Sequence, residues 1–417
     1  MSSVNSSQSS LSSVSAHQEC DVLIVGGGVA GCATAIAINQ QAPTLRVVVI
    51  EKSDDQTPAS IGENLSPQVV EPLKALGLWD SFRHNEFLPN CGTAASWGKE
   101  ALDHYDFSLS PFNQGWNISR QQFAMWLKQE VENRGIEIVQ PASVNCVERH
   151  SGQWRIEVST PLSESRYHWQ AAFLVDASGR RSVVTSQLGI ARTSVDNLVS
   201  VYGFVEQDRQ SMVNHGLNAS GCSGALSSLS ALFEATHYGW WYSVPLMNGG
   251  YMVAAMTDAD IAKELLLSDP DAWKKSLRTM THTCSRLGDI HWLDGAMVNT
   301  EDEKMRLRKV CAQSQYLSQV VGSGWLAVGD SAGCYDPLLS QGIVAPLSLA
   351  PLAATVAVHS ASHQEDSETI RQYATACEKT WHDYLVMRER LYSEERRFQE
   401  YAFWSRRQHH SEEMAVG

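Results

Sequence analysis

Along this chain the apolar residues switch between continuous runs, alternation and the helical period, and the sharpest switch lies between Asp21 and Glu51. The run Val22-Leu23-Ile24-Val25 reads as a strand buried on both faces. It is followed by the turn Gly26-Gly27-Gly28-Val29-Ala30-Gly31, a helix-like stretch to Gln40, and a second run, Val47-Val48-Val49-Ile50, that ends on Glu51. The same pattern of an apolar run closed by an acid returns at Phe173-Leu174-Val175-Asp176 and at Trp325-Leu326-Ala327-Val328-Gly329-Asp330.

Other stretches fill in the architecture. The segment Ile61-Gly62-Glu63-Asn64-Leu65-Ser66-Pro67 reads as a loop that opens a helix running to Leu78. Short β-like pieces from Leu88 to Leu109 carry Trp97 and Tyr105. After Arg120, the residues Phe123, Leu127 and Val131 share one face of an amphipathic helix, and the next strand is expected at 135–139. Separate strands are expected at 144–149, 154–159 and 167–172. From about Val195 to Met256 the chain is β-rich, with candidates at 199–205, 232–233 and 251–256. The apolar stretch from Ile343 to Val358 contains Pro346 and Pro351, is shorter than a bilayer span, and reads as a buried helix. Residues 364–417 are charged and helical in pattern.

This order predicts an α/β chain with a Rossmann-like cofactor domain of the glutathione reductase type, assembled from residues 20–87, 112–194 and 300–362. A β-sheet domain for substrate is inserted as 88–111 and 195–299, and a helical region, 363–417, closes the chain. Residues 1–19 are serine-rich, lack the pattern of a signal peptide, and read as a disordered tail.

Composition narrows the class of partner. The 417 residues carry 32 basic and 46 acidic side chains, a formal net charge of −14, which argues against nucleic acid or anionic lipid. Nine cysteines without paired spacing fit reduced thiols and a cytoplasmic setting. His409-His410 and the other histidines show no metal-ligand spacing, so no metal site is expected.

The chemistry of the first turn is specific. Gly26 permits the tight exit from the strand, Gly28 leaves room for a pyrophosphate, and Gly31 lets helix and strand pack closely. The phosphates meet the positive helix N-terminus, and Glu51, twenty residues beyond Gly31, takes ribose hydroxyls. Four later stretches add to this: Asp176-Ala177-Ser178-Gly179-Arg180 after a buried strand, Gly329-Asp330 at a strand end, Arg120 before a helix, and Gly62-Glu63 in a loop.

In that order and spacing, the stretches resemble the flavoprotein superfamily of class A-type monooxygenases, flavin-dependent halogenases and geranylgeranyl reductases. The resemblance implies FAD, with its ADP half at Gly26, Gly28, Gly31 and Glu51, its ribityl chain at Asp330, and its ring bordered by Pro337, Ser340, Gln341 and Gly342. Electrons would come from NAD(P)H bound transiently or from a separate reductase, since no second glycine fingerprint is present. The stretch Tyr238-Gly239-Trp240-Trp241-Tyr242-Ser243-Val244-Pro245 is similar to the W-x-W-x-I-P signature of halogenases, with Tyr242 in place of the second tryptophan. Halogenation itself needs a lysine, and Asn90 to Trp97 contains none; Leu339 also stands where tryptophan halogenases carry a glutamate.

The remaining resemblance is to LodB/GoxB-type flavoproteins, which mature tryptophylquinone oxidases by oxygenating a tryptophan of a partner protein. It rests on Gly62–Pro67, Ala95-Ser96-Trp97-Gly98, Gly115–Arg120 and Phe403-Trp404-Ser405-Arg406-Arg407. It implies O2 as co-substrate, transfer of oxygen from a flavin C4a-hydroperoxide to an indole, and a quinone-oxidase precursor as partner. Glu63 is the candidate for moving the proton or else a helix cap; Trp97, Trp240 and Tyr242 either line the substrate cleft or pack the core. The charged C-terminal helices are either a docking surface or a solvated face. Other readings are a monooxygenase of small aromatic metabolites, a double-bond reductase, and a flavin-binding chaperone without chemistry.

Overall fold

The strand His17–Val25 lies at the centre of the larger cofactor-side sheet because both its faces are covered, leaving Val22 to Val25 almost without solvent. It pairs in parallel with Val47–Ile50 on one side and with Ser163–Asp176 on the other. Glu137–Val139 and Trp325–Ala327 extend the parallel sheet, and Val321–Gly322 closes one edge antiparallel. The computed structural model describes residues 17–54, 62–161, 163–205, 229–247, 250–287, 307–362 and 366–408. The serine-rich segment 1–16, Ile61 and His409-His410 lie outside the described residues.

Two local expectations change. Residues 17–19, assigned to the tail, belong to the first strand and register against His168–Gln170. The separate strands expected at 167–172 and 173–176 are one strand, Ser163–Asp176. Its antiparallel partner Gln153–Thr160 and its parallel partner His17–Val25 flank it, so a continuous ladder carries the chain through.

The apolar helix Gln341–Ala361 packs on helix Val29–Gln41 and on the sheet, burying Ile343, Leu347, Ala350, Ala354 and Ala357. Among the described residues it is the helix long and apolar enough to cross a membrane, and 56% of its apolar window is buried inside the fold. The expectation of a core helix fits this packing.

A second sheet has seven strands in the order Arg308–Cys311, Leu198–Val205, Tyr251–Asp258, Gly239–Pro245, Ala231–Thr236, Gly92–Ser96 and Asp103–Asp106. The early segment thus enters this sheet at Gly92 rather than at residue 88. Leu88–Asn90 instead pairs with Gly115–Ser119, which also pairs with Gly62–Leu65, so the expected loop at Gly62 is a strand. Alternation along Gly239–Pro245 sends Trp240 and Tyr242 to one apolar cluster and Trp241 to another, against Trp273.

The C-terminal helices are not simply a solvated or docking face. On helix Ser367–Glu394 one face carries surface pairs such as Lys379–Asp383, while Tyr384, Arg388 and Tyr392, four residues apart, are buried. Helix Ala402–Gln408 buries Phe403, Trp404 and Arg407 against the second sheet, where Arg407 pairs with Asp258 at 2.6 Å and Trp404 Nε1 donates to the Thr236 carbonyl at 2.8 Å.

Candidate functional site

The three fingerprint glycines do different work. A Cβ on Gly26, whose φ is +113°, would lie 2.2 Å from the Ala177 carbonyl oxygen, and one on Gly31 would lie 1.9 Å from the Gly26 oxygen. A Cβ on Gly28 would meet nothing within 4 Å. Gly26 and Gly31 are therefore required by the fold, whereas the space beside Gly28 is open and would be filled by a side chain there. Gly28 caps helix Val29–Gln41 without a side-chain bond, and the first turn holds no acid. Its N–H groups remain available to an anion, which is what a pyrophosphate requires. Glu51 closes the far side: its Oε2 accepts from the Gly27 N–H at 2.6 Å and its Oε1 accepts from the Ser53 N–H at 2.8 Å. These residues fit the ADP half of FAD.

Gly329-Asp330 stands where the N-terminal ends of the two core helices meet. Gly329 has φ +59°, and a Cβ there would reach Ala30 Cβ at 2.5 Å, so glycine is needed for this close approach. The Asp330 carboxylate is partly open and lies 3.8 Å from Arg180 Nε. Beyond it, Asp336 starts the turn Pro337–Leu339, Ser340 adopts a left-handed conformation (φ 51°), and Gln341 begins the long helix. That helix start also lacks a side-chain cap, Pro337 is exposed, and a Cβ on Gly342 would meet nothing within 4 Å.

Arg120 is the first residue of helix Arg120–Asn133, and its Nη1 donates to Glu63 Oε1 at 2.9 Å. Glu63 is thereby a pairing partner of Arg120 and not a helix cap. The Glu63 carboxylate, with a further contribution from Asp330, holds the Arg120 guanidinium above its ordinary range against the opposing effect of burial. Burial pushes the Tyr242 phenol well up, and the Glu63 charge pushes it further, while the Asn64 backbone N–H partly offsets both. Tyr242 is therefore a neutral phenol at working pH, a donor rather than a base. Its ring packs on Phe233 with centroids 5.1 Å apart. The structure thus brings Arg120 within electrostatic reach of both Glu63 and Asp330, and Glu63 within reach of Tyr242.

Two expected site residues serve the fold instead. The Asp176 carboxylate is fully buried and accepts from the Ser178 hydroxyl and N–H, the Val184 and Thr185 N–H groups and the Thr185 hydroxyl. Five protein donors saturate it, so it shapes the turn and caps helix Val183–Gln187 rather than holding a cofactor. Trp97 donates its indole N–H to the Leu391 carbonyl at 2.6 Å and packs edge-on against Trp240 and Trp404. It joins the second sheet to the C-terminal helix.

Arg192 is a residue that sequence reasoning missed. Its Nη2 donates to the carbonyl oxygens of Asp330 at 3.0 Å and Ser331 at 2.5 Å and to the Ser182 hydroxyl at 2.5 Å. It clamps the backbone of the Gly-Asp turn from a position 138 residues earlier. No local pattern around Arg192-Thr193-Ser194 signals this.

A family model described as FAD binding domain matches residues 19–342. LodB of Marinomonas mediterranea, named as an FAD-dependent oxidoreductase, is 27% identical over 93% of this chain and 96% of its own length. A flavin-dependent halogenase of Penicillium aethiopicum is 23% identical over 81% of this chain and 64% of its own. Among solved structures, the myxobacterial chondrochloren halogenase CndH superposes with a TM-score of 0.77 at 19% identity, covering 96% of this chain and 89% of that one. The peptidyl tryptophan dihydroxylase QhpG, described as essential for tryptophylquinone cofactor biogenesis, superposes at 0.67 with 22% identity, covering 94% and 79%.

Proposed function

This chain belongs to the FAD-binding domain family and is an FAD-dependent oxidoreductase, and from that premise we propose that it is a monooxygenase that hydroxylates a tryptophan in a precursor protein during biogenesis of a tryptophylquinone, of the cysteine tryptophylquinone kind. The observation that carries the proposal is the likeness to LodB along nearly the whole of both chains. QhpG, a peptidyl tryptophan dihydroxylase of similar fold, supports the same kind of chemistry.

Bound FAD supplies two-electron reduction and the activation of O2. The residues around it do the rest. The open space at Gly28 and the uncapped first turn of helix Val29–Gln41 hold the pyrophosphate, Glu51 the ribose, and Asp330, braced by Arg192, the ribityl chain. The N-terminal turn at Gln341-Gly342 presents N–H groups to the ring. The Glu63–Arg120 pair manages the proton, and the neutral Tyr242 phenol donates a hydrogen bond in the cleft. The indole needs positioning and exclusion of water more than a strong base.

The test is the intact mass of a tryptophylquinone-oxidase precursor co-expressed with this chain. A tryptophan that gains oxygen only when the chain is present, and not with Gly28→Val, supports the proposal. An unchanged precursor, with free indoles oxidised instead, assigns the enzyme to small aromatic substrates.

A further inference from the structure

Immediately before the turn that begins at Pro337 lies a fully buried carboxylate for which the proposed chemistry has no use, that of Asp336. Its Oδ1 accepts from the Leu338 N–H at 2.9 Å, which fixes the turn from inside. Its Oδ2 accepts from the Tyr392 hydroxyl at 2.8 Å and lies 3.7 Å from Arg388 Nε. Its own N–H donates to the Tyr384 hydroxyl at 2.9 Å. Tyr384, Arg388 and Tyr392 lie on the buried stripe of the C-terminal helix Ser367–Glu394, so three successive turns of that helix converge on one residue.

The contacts continue into the second sheet. The Trp240 indole N–H donates to the Tyr392 oxygen at 3.2 Å, and Arg388 Nη2 donates to Asp196 Oδ2 at 2.9 Å, just ahead of strand Leu198–Val205. Asp196 Oδ1 in turn accepts from the N–H groups of Leu198 and Ser314, and the Ser314 and Tyr384 hydroxyls are 2.6 Å apart. A buried charged network of this kind is weak support for stability, because the groups could be replaced by apolar ones at little cost. Its value lies in geometry. It fixes one conformation of the Pro337–Ser340 turn by tying it to the tryptophan of the signature strand and to the C-terminal helix.

We propose that Asp336, held by Tyr392 and Arg388, is a positioning residue for the isoalloxazine: it aims the Gln341 and Gly342 N–H groups at the flavin ring and thereby sets how tightly the reduced ring is held relative to the oxidised one. The inference rests on the reading above that Pro337, Gln341 and Gly342 border the ring. Trp240 acts in this scheme through Tyr392 and does not touch substrate.

The experiment measures the midpoint potential of bound FAD in the full-length holoprotein, with thermal stability recorded alongside. Tyr392→Phe keeps the shape of the network and removes both bonds of that hydroxyl, the one to Asp336 and the one from Trp240, and Asp336→Asn keeps the shape and removes the carboxylate charge. Each is expected to weaken binding of reduced FAD relative to oxidised FAD about tenfold, which lowers the potential by about 30 mV for a two-electron couple. Trp404→Phe, in the same aromatic cluster but outside the network, is expected to lower stability with the potential unchanged. Gly342→Ala tests the premise separately, because its Cβ enters open space and leaves the fold alone. A potential that moves with Gly342→Ala but with neither network variant overturns the positioning role and leaves the ring site standing. A potential that moves with none of the three overturns the ring site, and this inference with it. Loss of stability in the network variants at constant potential reduces Asp336 to a purely structural part and also overturns the proposal.

Discussion

Arg120 Nη1 donates to Glu63 Oε1 across 2.9 Å, joining the first turn of helix Arg120–Asn133 to the short strand Gly62–Leu65. The two side chains keep 41% and 22% of their exposure, so the pair contributes only about 0–1 kcal/mol to stability. A structural role and a chemical role therefore separate. Glu63→Gln is expected to leave the melting temperature nearly unchanged while turnover falls about a hundredfold, the lower end of what a positioned proton-transfer group contributes. Product formation at saturating substrate checks this. Turnover equal to wild type removes Glu63 from the proton path.

The fingerprint glycines allow a sharper contrast. Valine at Gly28 fills open space beside the bare helix start, so Gly28→Val is expected to fold normally and bind FAD at least tenfold more weakly, a loss above about 1.4 kcal/mol. Alanine at Gly31 collides with the Gly26 carbonyl oxygen, so Gly31→Ala is expected to cost about 1–3 kcal/mol of stability whether or not FAD is present. Denaturation curves of the apoprotein distinguish the two. A destabilised Gly28→Val apoprotein would show that this position is a packing site.

How much of this was legible beforehand follows from the range of each interaction. The strands Val47–Ile50 and Phe173–Asp176 were visible because a strand covered on both faces must be continuously apolar. The glycine pattern was visible because turn, phosphate and helix packing all fall within six residues. Asp176 misled because a buried acid after a strand looks the same whether its donors are protein or ligand. Here the donors are supplied by Ser178, Val184 and Thr185, a few residues on. Arg192 was invisible, since its acceptors at Asp330 and Ser331 are distant in sequence. Trp97 was seen as an aromatic of interest, but its partners Leu391 and Trp404 lie about three hundred residues away.

Thiol chemistry gives a prediction tied to pH. Burial pushes the Cys32 and Cys377 thiols up to about 12 and Cys334 up to about 11, so in the folded protein they stay protonated throughout the neutral range. The thiolate is the reactive form, and a raised pKa means that it appears only as pH climbs toward those values. Cys311 is exposed. Brief iodoacetamide treatment at pH 8 is expected to label Cys311 and to spare Cys32, Cys334 and Cys377, with peptide mass spectrometry as the readout. Early labelling of Cys32 would mean that the first helix opens readily from the sheet.

The C-terminal segment supplies the last test, because sequence alone left it as a docking surface or a solvated face. Trp404 has no exposed surface, its indole N–H is bonded to the Thr236 carbonyl, and its ring meets Trp97, Tyr392 and Phe403 in T-shaped contacts. Truncating it leaves a cavity and an unpaired carbonyl in the second sheet. Trp404→Ala is therefore expected to cost about 3–5 kcal/mol, the range for emptying a buried aromatic site. Chemical denaturation monitored by tryptophan fluorescence gives the value. Arg390→Ala, on the exposed face of the preceding helix where it pairs with Glu394, is expected to change stability by less than about 0.5 kcal/mol. If both substitutions were equally mild, the segment would be an appendage; the buried stripe and the indole bond make it part of the second sheet's core.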